Sequence, residues 1–182
     1  MAGWDRYRLG KDRRPILCEM DRLLVGKRNG ITRFTFLGRY TGGNDVLIPE
    51  VAEGGAYDGV ILNQTVDGFR RYGIVLNRTI NEGDKFRLRW QFRYDHTKSS
   101  GDPLPVMGCV YEIDQSLYKI HVVFDPNAPP ACIFSAVAPA GSWPRRGGQP
   151  LCIPLDDDCT AHAAWSTVPR EYAAGIYWEW SE

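Results

Sequence analysis

The sequence predicts an all-β protein of about eight to ten antiparallel strands with little helix, which is the pattern of a β-sandwich or barrel. Short apolar runs recur along the chain and are separated by glycine, proline, asparagine or aspartate. The 12 prolines and 19 glycines interrupt most patterns that would suit a long helix. The 182 residues are enough to bury one core without the support of a disulfide or a metal ion.

The clearest predicted strand is Phe86 to Tyr94, in which apolar and aromatic side chains alternate with polar ones. Successive side chains of a strand point to opposite faces, so this alternation is typical of a half-buried antiparallel strand. A turn signal, Asn81-Glu82-Gly83-Asp84, separates it from the apolar run Tyr72 to Ile80. Residues 70–94 are therefore predicted to form a β-hairpin.

The remaining predicted elements are shorter and are bounded by turn-forming residues. The other predicted strands are 31–37, 46–48, 59–62, 106–113, 117–124, 131–137, 151–153 and 174–180. Two short helices are predicted, of two turns at Glu19 to Val25 and of one turn at Thr160 to Trp165.

The domain organisation predicted from these elements is simple. Residues 1–28 form a basic N-terminal extension that includes the first short helix, and residues 29–182 form a single β-sandwich domain. No apolar stretch follows the charged N-terminus, and no apolar run is long enough to span a membrane. We therefore expect no signal peptide, no transmembrane segment, and a location that is intracellular or in a virion.

The net charge of zero conceals an uneven distribution along the chain. Residues 1–98 contain 18 Lys or Arg and 12 Asp or Glu, whereas residues 99–182 contain 4 and 10. These balances of +6 and −6 favour association between copies, in which the basic part of one meets the acidic part of another. Two ordinary solvated surfaces are the alternative.

The largest cluster of like charge lies on the predicted hairpin. Its members are Arg70, Arg71, Arg78, Arg87, Arg89 and Arg93. Arginines on one strand face could bind nucleic acid, an anionic glycan or an acidic protein surface. They could equally form an outer sandwich face that is paired with acids on neighbouring strands.

Two loop segments carry the other candidate binding residues. Trp143 is followed by Arg145 and Arg146, a combination that suits a protein interface or a glycan site unless the tryptophan packs under its own loop. Asp156, Asp157 and Asp158 resemble part of a calcium site shared between subunits, although a solvated acidic turn explains them as well. No other cofactor is expected.

Catalytic motifs give no support to an enzyme. The three histidines, His96, His121 and His162, do not follow a metal-site spacing, and His121 is interpreted as a strand residue. The sequence contains no nucleophile elbow, P-loop or dinucleotide-binding fingerprint. Cys152 and Cys159 could close a loop in an oxidising compartment or remain reduced inside a cell.

Several segments carry a resemblance to a known family: the basic N-terminal segment, Arg71-Tyr72-Gly73, the strand that leads from Leu88 to Asp95, Gly101-Asp102-Pro103, and the aromatic end Ile176 to Trp180. Together they resemble single-jelly-roll capsid proteins of small icosahedral viruses. The resemblance implies that the β-sandwich is a jelly roll and that the chain is a non-catalytic structural protein that assembles into homo-oligomers. The alternative hypotheses are a lectin-like carbohydrate-binding module and, third, an enzyme on a β scaffold.

Overall fold

The computed structural model describes residues 2–39, 48–66, 69–95, 106–110, 115–139 and 151–181. These residues form thirteen strands and no helix, which confirms the all-β class. The strands are β1 Ala2–Leu9, β2 Pro15–Val25, β3 Ile31–Arg39, β4 Glu50–Glu53, β5 Gly55–Val66, β6 Phe69–Ile80, β7 Lys85–Arg93, β8 Val106–Val110, β9 Leu117–Val123, β10 Pro130–Pro139, β11 Leu151–Cys152, β12 Thr160–Trp165 and β13 Tyr172–Trp180. Within these ranges there is accordingly no helix that could cross a membrane.

The strands are arranged in three sheets. The largest has the order β12-β9-β1-β2-β7-β4, the second has the order β11-β10-β13-β8, and the third has the order β3-β6-β5. Neighbouring strands are antiparallel except β1 and β9, which run parallel. The described strands thus outnumber the predicted eight to ten, and the jelly-roll connectivity stays a prediction.

The two smaller sheets pack against different ends of the six-stranded sheet. In the three-stranded sheet, the Phe36 ring lies 4.8 Å from the Trp90 ring of β7, measured between centroids. At the other end, the Phe124 ring that follows β9 lies 5.1 Å from the Trp178 ring of β13. The result is a sandwich in which one broad layer is shared by two narrower sheets.

The N-terminal residues differ from the predicted extension, because β1 and β2 are inner strands of the six-stranded sheet. The short helix predicted at Glu19 to Val25 is wrong, since these residues belong to β2. Cys18, Met20 and Leu24 point inward with period two, but the charged Arg22 interrupts their apolar pattern. The one-turn helix predicted at Thr160 to Trp165 is likewise a strand, β12.

The hairpin predicted for residues 70–94 is also wrong, because β6 and β7 lie in different sheets. Residues 81–84 cross between the layers as an arch, and residues 26–30 form a second arch beside it. The Gly26 N–H donates to the carbonyl oxygen of Asp84 at 2.9 Å, and the Gly83 N–H donates to that of Gly26 at 3.0 Å. Local turn signals cannot distinguish an arch from a hairpin, because the difference depends on which distant strands pair.

Candidate functional site

The outer face of the six-stranded sheet carries a continuous row of polar side chains. The strand register places these residues side by side across five strands: His162, His121, Arg6, Glu19 and Gln91. Residues that are paired across neighbouring strands share a face of the sheet, with Cβ atoms about 5 Å apart. The row therefore brings together groups that are far apart in the sequence.

Two histidines form the most unusual contact of this row. The Nδ1 atoms of His121 and His162 are 2.6 Å apart, and the two rings are nearly perpendicular, with an interplanar angle of 89°. The other ring nitrogen of His162, Nε2, lies 2.9 Å from a carboxylate oxygen of Asp156. When the pair is neutral, Nε2–H of His162 donates to Asp156, and Nδ1 of His162 accepts a hydrogen bond from Nδ1–H of His121.

The surroundings of His121 disfavour its charged form. Partial burial is the main cause that lowers the pKa of His121 below its ordinary value of 6.5, and the charges of His162, Arg6 and Lys119 lower this pKa further. His121 is therefore held neutral at a pH where an isolated histidine would begin to take up a proton.

A tight turn before β12 sets this geometry. The Asp156 N–H donates to the Thr160 carbonyl oxygen, and the Cys159 N–H donates to the Asp156 carbonyl oxygen, both at 2.9 Å. Cys159 takes a left-handed conformation with φ of 58°, which reverses the chain direction. The following strand runs antiparallel to β9, so that His162 falls opposite His121.

Three permanent cations lie on the same face of the sheet, on the His121 side of the pair: Arg6 and Arg8 on β1, and Lys119 on β9. In the part of the chain that the structure describes, none of the three forms an ion pair with an acid within 4 Å. Glu19 is the cross-strand neighbour of Arg6, so the local field is positive but not extreme. This end of the outer face can therefore attract anions.

At the other end of the same face, the arginines of β7 form ion pairs with acids of neighbouring strands. Asp21 on β2 binds the guanidinium of Arg87 and lies 3.5 Å from Nε of Arg89. The Arg93 guanidinium lies 3.5 Å from a carboxylate oxygen of Glu50. The Asp21 carboxylate raises the pKa of Arg87 through a hydrogen bond and its charge. At this end of the face, acids on neighbouring strands therefore pair with Arg87, Arg89 and Arg93.

The predicted cluster of six arginines is divided by the fold. Arg87, Arg89 and Arg93 belong to β7 in the six-stranded sheet, whereas Arg70, Arg71 and Arg78 belong to β6 in the three-stranded sheet. The prediction of a single arginine face is therefore wrong, and its cause is the arch that was interpreted as a hairpin.

The other predicted site residues have varied positions. Trp143, Arg145, Arg146 and His96 lie outside the described residues. Asp157 and Asp158 are exposed in the turn before β12, next to Asp156. Within the described ranges, no group of three or more His, Cys, Asp or Glu side chains could hold a metal ion. Cys152 and Cys159 are free thiols.

Sequence reasoning missed the contact between His121 and His162, which are 41 residues apart. A signal was present, because each histidine occupies a polar position in a short alternating segment. Their meeting could be inferred only after residues 160–165 were assigned to a strand and that strand was paired with β9. The predicted helix at that segment concealed the pair.

Comparison with known proteins adds no identification. No protein-family model matches the chain, and no curated protein matches it.

Proposed function

We propose that this protein is a non-catalytic structural protein that assembles head to tail into homo-oligomers. The observation that carries the proposal is the position of two exposed patches of opposite charge at diagonally opposite corners of the six-stranded sheet. A contact between two different patches can be repeated from copy to copy, so it forms rings or shells when it closes and filaments when it does not.

The basic arch patch consists of Lys27, Arg28 and Lys85, which are all exposed, and these three cations outnumber the two acids of the neighbouring arch, Glu82 and Asp84. Lys27 and Arg28 lie in the arch that follows β2, and Lys85 begins β7 opposite Val25, the last residue of β2. The hydrogen bonds between the two arches hold this part of the surface together. The patch thus has a fixed position at one end of β2 and β7.

The acidic turn patch consists of Asp125, Asp157 and Asp158. Asp125 follows β9 and the other two precede β12, and the two turns are joined by the Phe124 N–H, which donates to the Cys159 carbonyl oxygen at 2.9 Å. Asp157 and Asp158 are exposed to solvent, and Asp125 is partly exposed. This patch presents carboxylates from two turns on one surface.

The strand directions place the patches at opposite ends. β2 runs toward the basic arch patch, β1 is antiparallel to β2, and β9 is parallel to β1. The C-terminal end of β9, which leads into the acidic turn patch, therefore lies at the end away from the arch. The patches are also separated laterally, because β9 and β12 lie on the opposite side of β1 from β2 and β7.

Light scattering after size-exclusion chromatography tests this proposal. The Debye length falls from about 30 Å at about 0.01 M salt to about 3 Å at about 1 M, so a contact between exposed charges weakens over that range. We expect a mass above that of the monomer at low salt and a decrease toward the monomer at high salt. A strict monomer at low salt and high concentration would contradict the proposal.

A charge reversal sharpens the test. The double variant Lys27→Glu and Arg28→Glu should reduce the mass at low salt, because it removes the basic partner of the contact. Lys27→Glu alone should also reduce the mass, and Lys11→Glu is its control with the same change of charge, since Lys11 is exposed in the turn between β1 and β2, at the same end as the acidic turn patch. This control should retain the association, and its loss there would indicate a non-specific effect of net charge.

A further inference from the structure

The histidine pair lies where side chains from three adjacent strands surround a small area of the outer face. Arg6 on β1 is paired with His121 on β9, and His121 is paired with His162 on β12. Lys119 lies two residues before His121 and shares its face. At about 5 Å between neighbouring strands, this area is wide enough for one tetrahedral anion.

The charged groups that face the pair come from every neighbouring element. β1 contributes Arg6 and Arg8, β9 contributes Lys119, and the turn before β12 contributes Asp156; beyond β1, Glu19 on β2 faces Arg6. The carboxylate of Asp156 contacts the Nε2 of His162, on the side away from His121. Asp156 therefore accepts no hydrogen bond from either Nδ1 atom, and these two atoms contact each other in the structure.

One proton joins the two rings in the neutral pair, and a second proton would place N–H groups on both Nδ1 atoms. The rings would then repel each other, and the nearby Arg6 and Lys119 would increase that cost. An anion that accepts hydrogen bonds from both Nδ1–H groups removes this repulsion. Such charge-assisted hydrogen bonds are stronger than neutral ones.

We propose that His121, His162, Arg6 and Lys119 form a site for a single tetrahedral oxyanion, a phosphate or sulfate group, that is bound together with a proton. The proton comes from solvent and adds to the pair, and the rings separate so that an anion oxygen lies between the two Nδ1–H groups. Arg6 and Lys119 supply permanent positive charge to the remaining oxygens. This site is separate from the contact proposed for assembly and does not depend on it.

A divalent metal ion is a less suitable ligand for this pair. It would have to bind between two imidazoles while Arg6 and Lys119 repel it, and no third His, Cys, Asp or Glu ligand completes a metal-binding group in the described residues. The positive charges of Arg6 and Lys119, which repel a metal ion, attract an oxyanion. The sign of the surrounding field therefore decides between the two ligand classes.

Isothermal titration calorimetry with inorganic phosphate tests the site. The affinity should be about tenfold higher near about pH 6 than near about pH 8, because the pair must take up a proton. Sulfate should show the same dependence, and because sulfate itself gains no proton in this range, its titration in two buffers of different ionisation enthalpy should show that the protein absorbs protons on binding at the higher pH. A phosphate monoester, titrated in parallel, shows whether the free ion or a terminal phosphate group is preferred, and tighter binding of either supports the site.

Variants separate the roles of the residues. His121→Gln and His162→Gln should each weaken phosphate binding by about tenfold or more and abolish the proton uptake, because one charged hydrogen bond is lost. Arg6→Gln should weaken binding but retain proton uptake, which distinguishes this site from diffuse attraction. Arg170→Gln is the control, since Arg170 is exposed and lies beside Glu171 in the turn before β13.

Three results would overturn the proposal. Phosphate affinity could be the same at both pH values, the histidine variants could bind phosphate as well as the unmodified protein, or the unmodified protein could bind Zn²⁺ and not phosphate. Near-ultraviolet circular dichroism of each variant checks that it is folded. If a histidine variant does not fold, Arg6→Gln still tests the site, because it should weaken phosphate binding.

Discussion

The ion pair on the inner face of the six-stranded sheet is fully enclosed, whereas those on the outer face include exposed arginines. The adjacent residues Asp21 and Arg22 of β2 show the difference. Arg22 points inward and is 2% exposed, while Asp21 points outward and is 5% exposed because it is covered by Arg87 and Arg89, whose side chains remain about half exposed. Strand alternation sends the two neighbours to opposite faces of the sheet, where their partners differ in exposure. A charged residue in this sequence therefore cannot be assigned to the surface by its type.

The inner ion pair is enclosed by hydrogen bonds and aromatic rings. The Arg22 guanidinium bonds the Asp5 carboxylate and donates to the Trp4 carbonyl oxygen at 2.9 Å. The Tyr118 hydroxyl donates to Asp5 at 2.9 Å. The Trp90 ring centroid lies 5.5 Å from the guanidinium carbon of Arg22. Removal of one partner should cost far more here than on the outer face, because the other charge would stay buried.

The largest expected effect comes from Trp90→Ala on the inner face. The substitution removes a buried ring that packs on Phe36 and faces Arg22. It should lower the free energy of unfolding by about 3–5 kcal/mol, measured by urea denaturation. A loss below about 1 kcal/mol would mean that this face of β7 is not the core face.

The next effect tests the inner ion pair itself. Asp5→Asn leaves Arg22 buried without its counter-charge but keeps an acceptor for the Tyr118 hydroxyl. We expect a loss of about 3 kcal/mol in urea denaturation, at the lower end of the range for a broken buried pair. Equal stability of the variant and the unmodified protein would show that solvent reaches this pair.

A smaller effect is expected on the outer face. Asp21→Asn removes the carboxylate that Arg87 and Arg89 share, but both arginines can be hydrated. The same denaturation measurement should show a loss of about 1 kcal/mol that decreases with added salt. If Asp21→Asn cost as much as Asp5→Asn, the contrast between the two faces would be contradicted.

The smallest effect is a pH dependence of stability from His121. Its pKa is lowered in the folded protein, so the unfolded chain takes up the proton first as the pH falls through 6.5. Stability should therefore be complete above that pH, decline below it, and become constant below the lowered pKa. Urea denaturation in phosphate-free buffer should show a weaker decline for His121→Gln, and an unchanged decline would assign it to other groups.

The sequence predicted those parts of the fold in which apolar alternation is uninterrupted. The strand from Phe86 to Tyr94 is confirmed as β7, and the sandwich architecture is confirmed as well. β1 and β2 were missed, because their inner faces include Asp5 and Arg22 and so lack a continuous apolar pattern. A buried charged residue can be predicted from the sequence only when its partner is known, and here Asp5 and Arg22 lie on different strands.

The candidate site was less predictable, because its residues are adjacent only through strand pairing. The contact of His121 with His162 requires the register of β9 against β12, and the contribution of Arg6 requires the parallel pairing of β1 with β9. The arginines of β6 and β7 were grouped by proximity in the sequence, and the arch between these strands separates them. The pairing of strands that are distant in the sequence therefore explains both why the histidine pair was missed and why the prediction of a single arginine face was wrong.

The most direct test of head-to-tail assembly is a mixing experiment with two charge-reversed variants. One variant carries Lys27→Glu and Arg28→Glu, and the other carries Asp157→Lys and Asp158→Lys. The first variant has a negative patch at both corners, and the second has lost the net negative charge of its acidic turn patch, so each should be monomeric by light scattering at low salt. An equimolar mixture should regain a mass above the monomer, because each variant offers the patch that the other needs. A mixture that stays monomeric, while the unmodified protein associates and both variants are folded, would contradict the account.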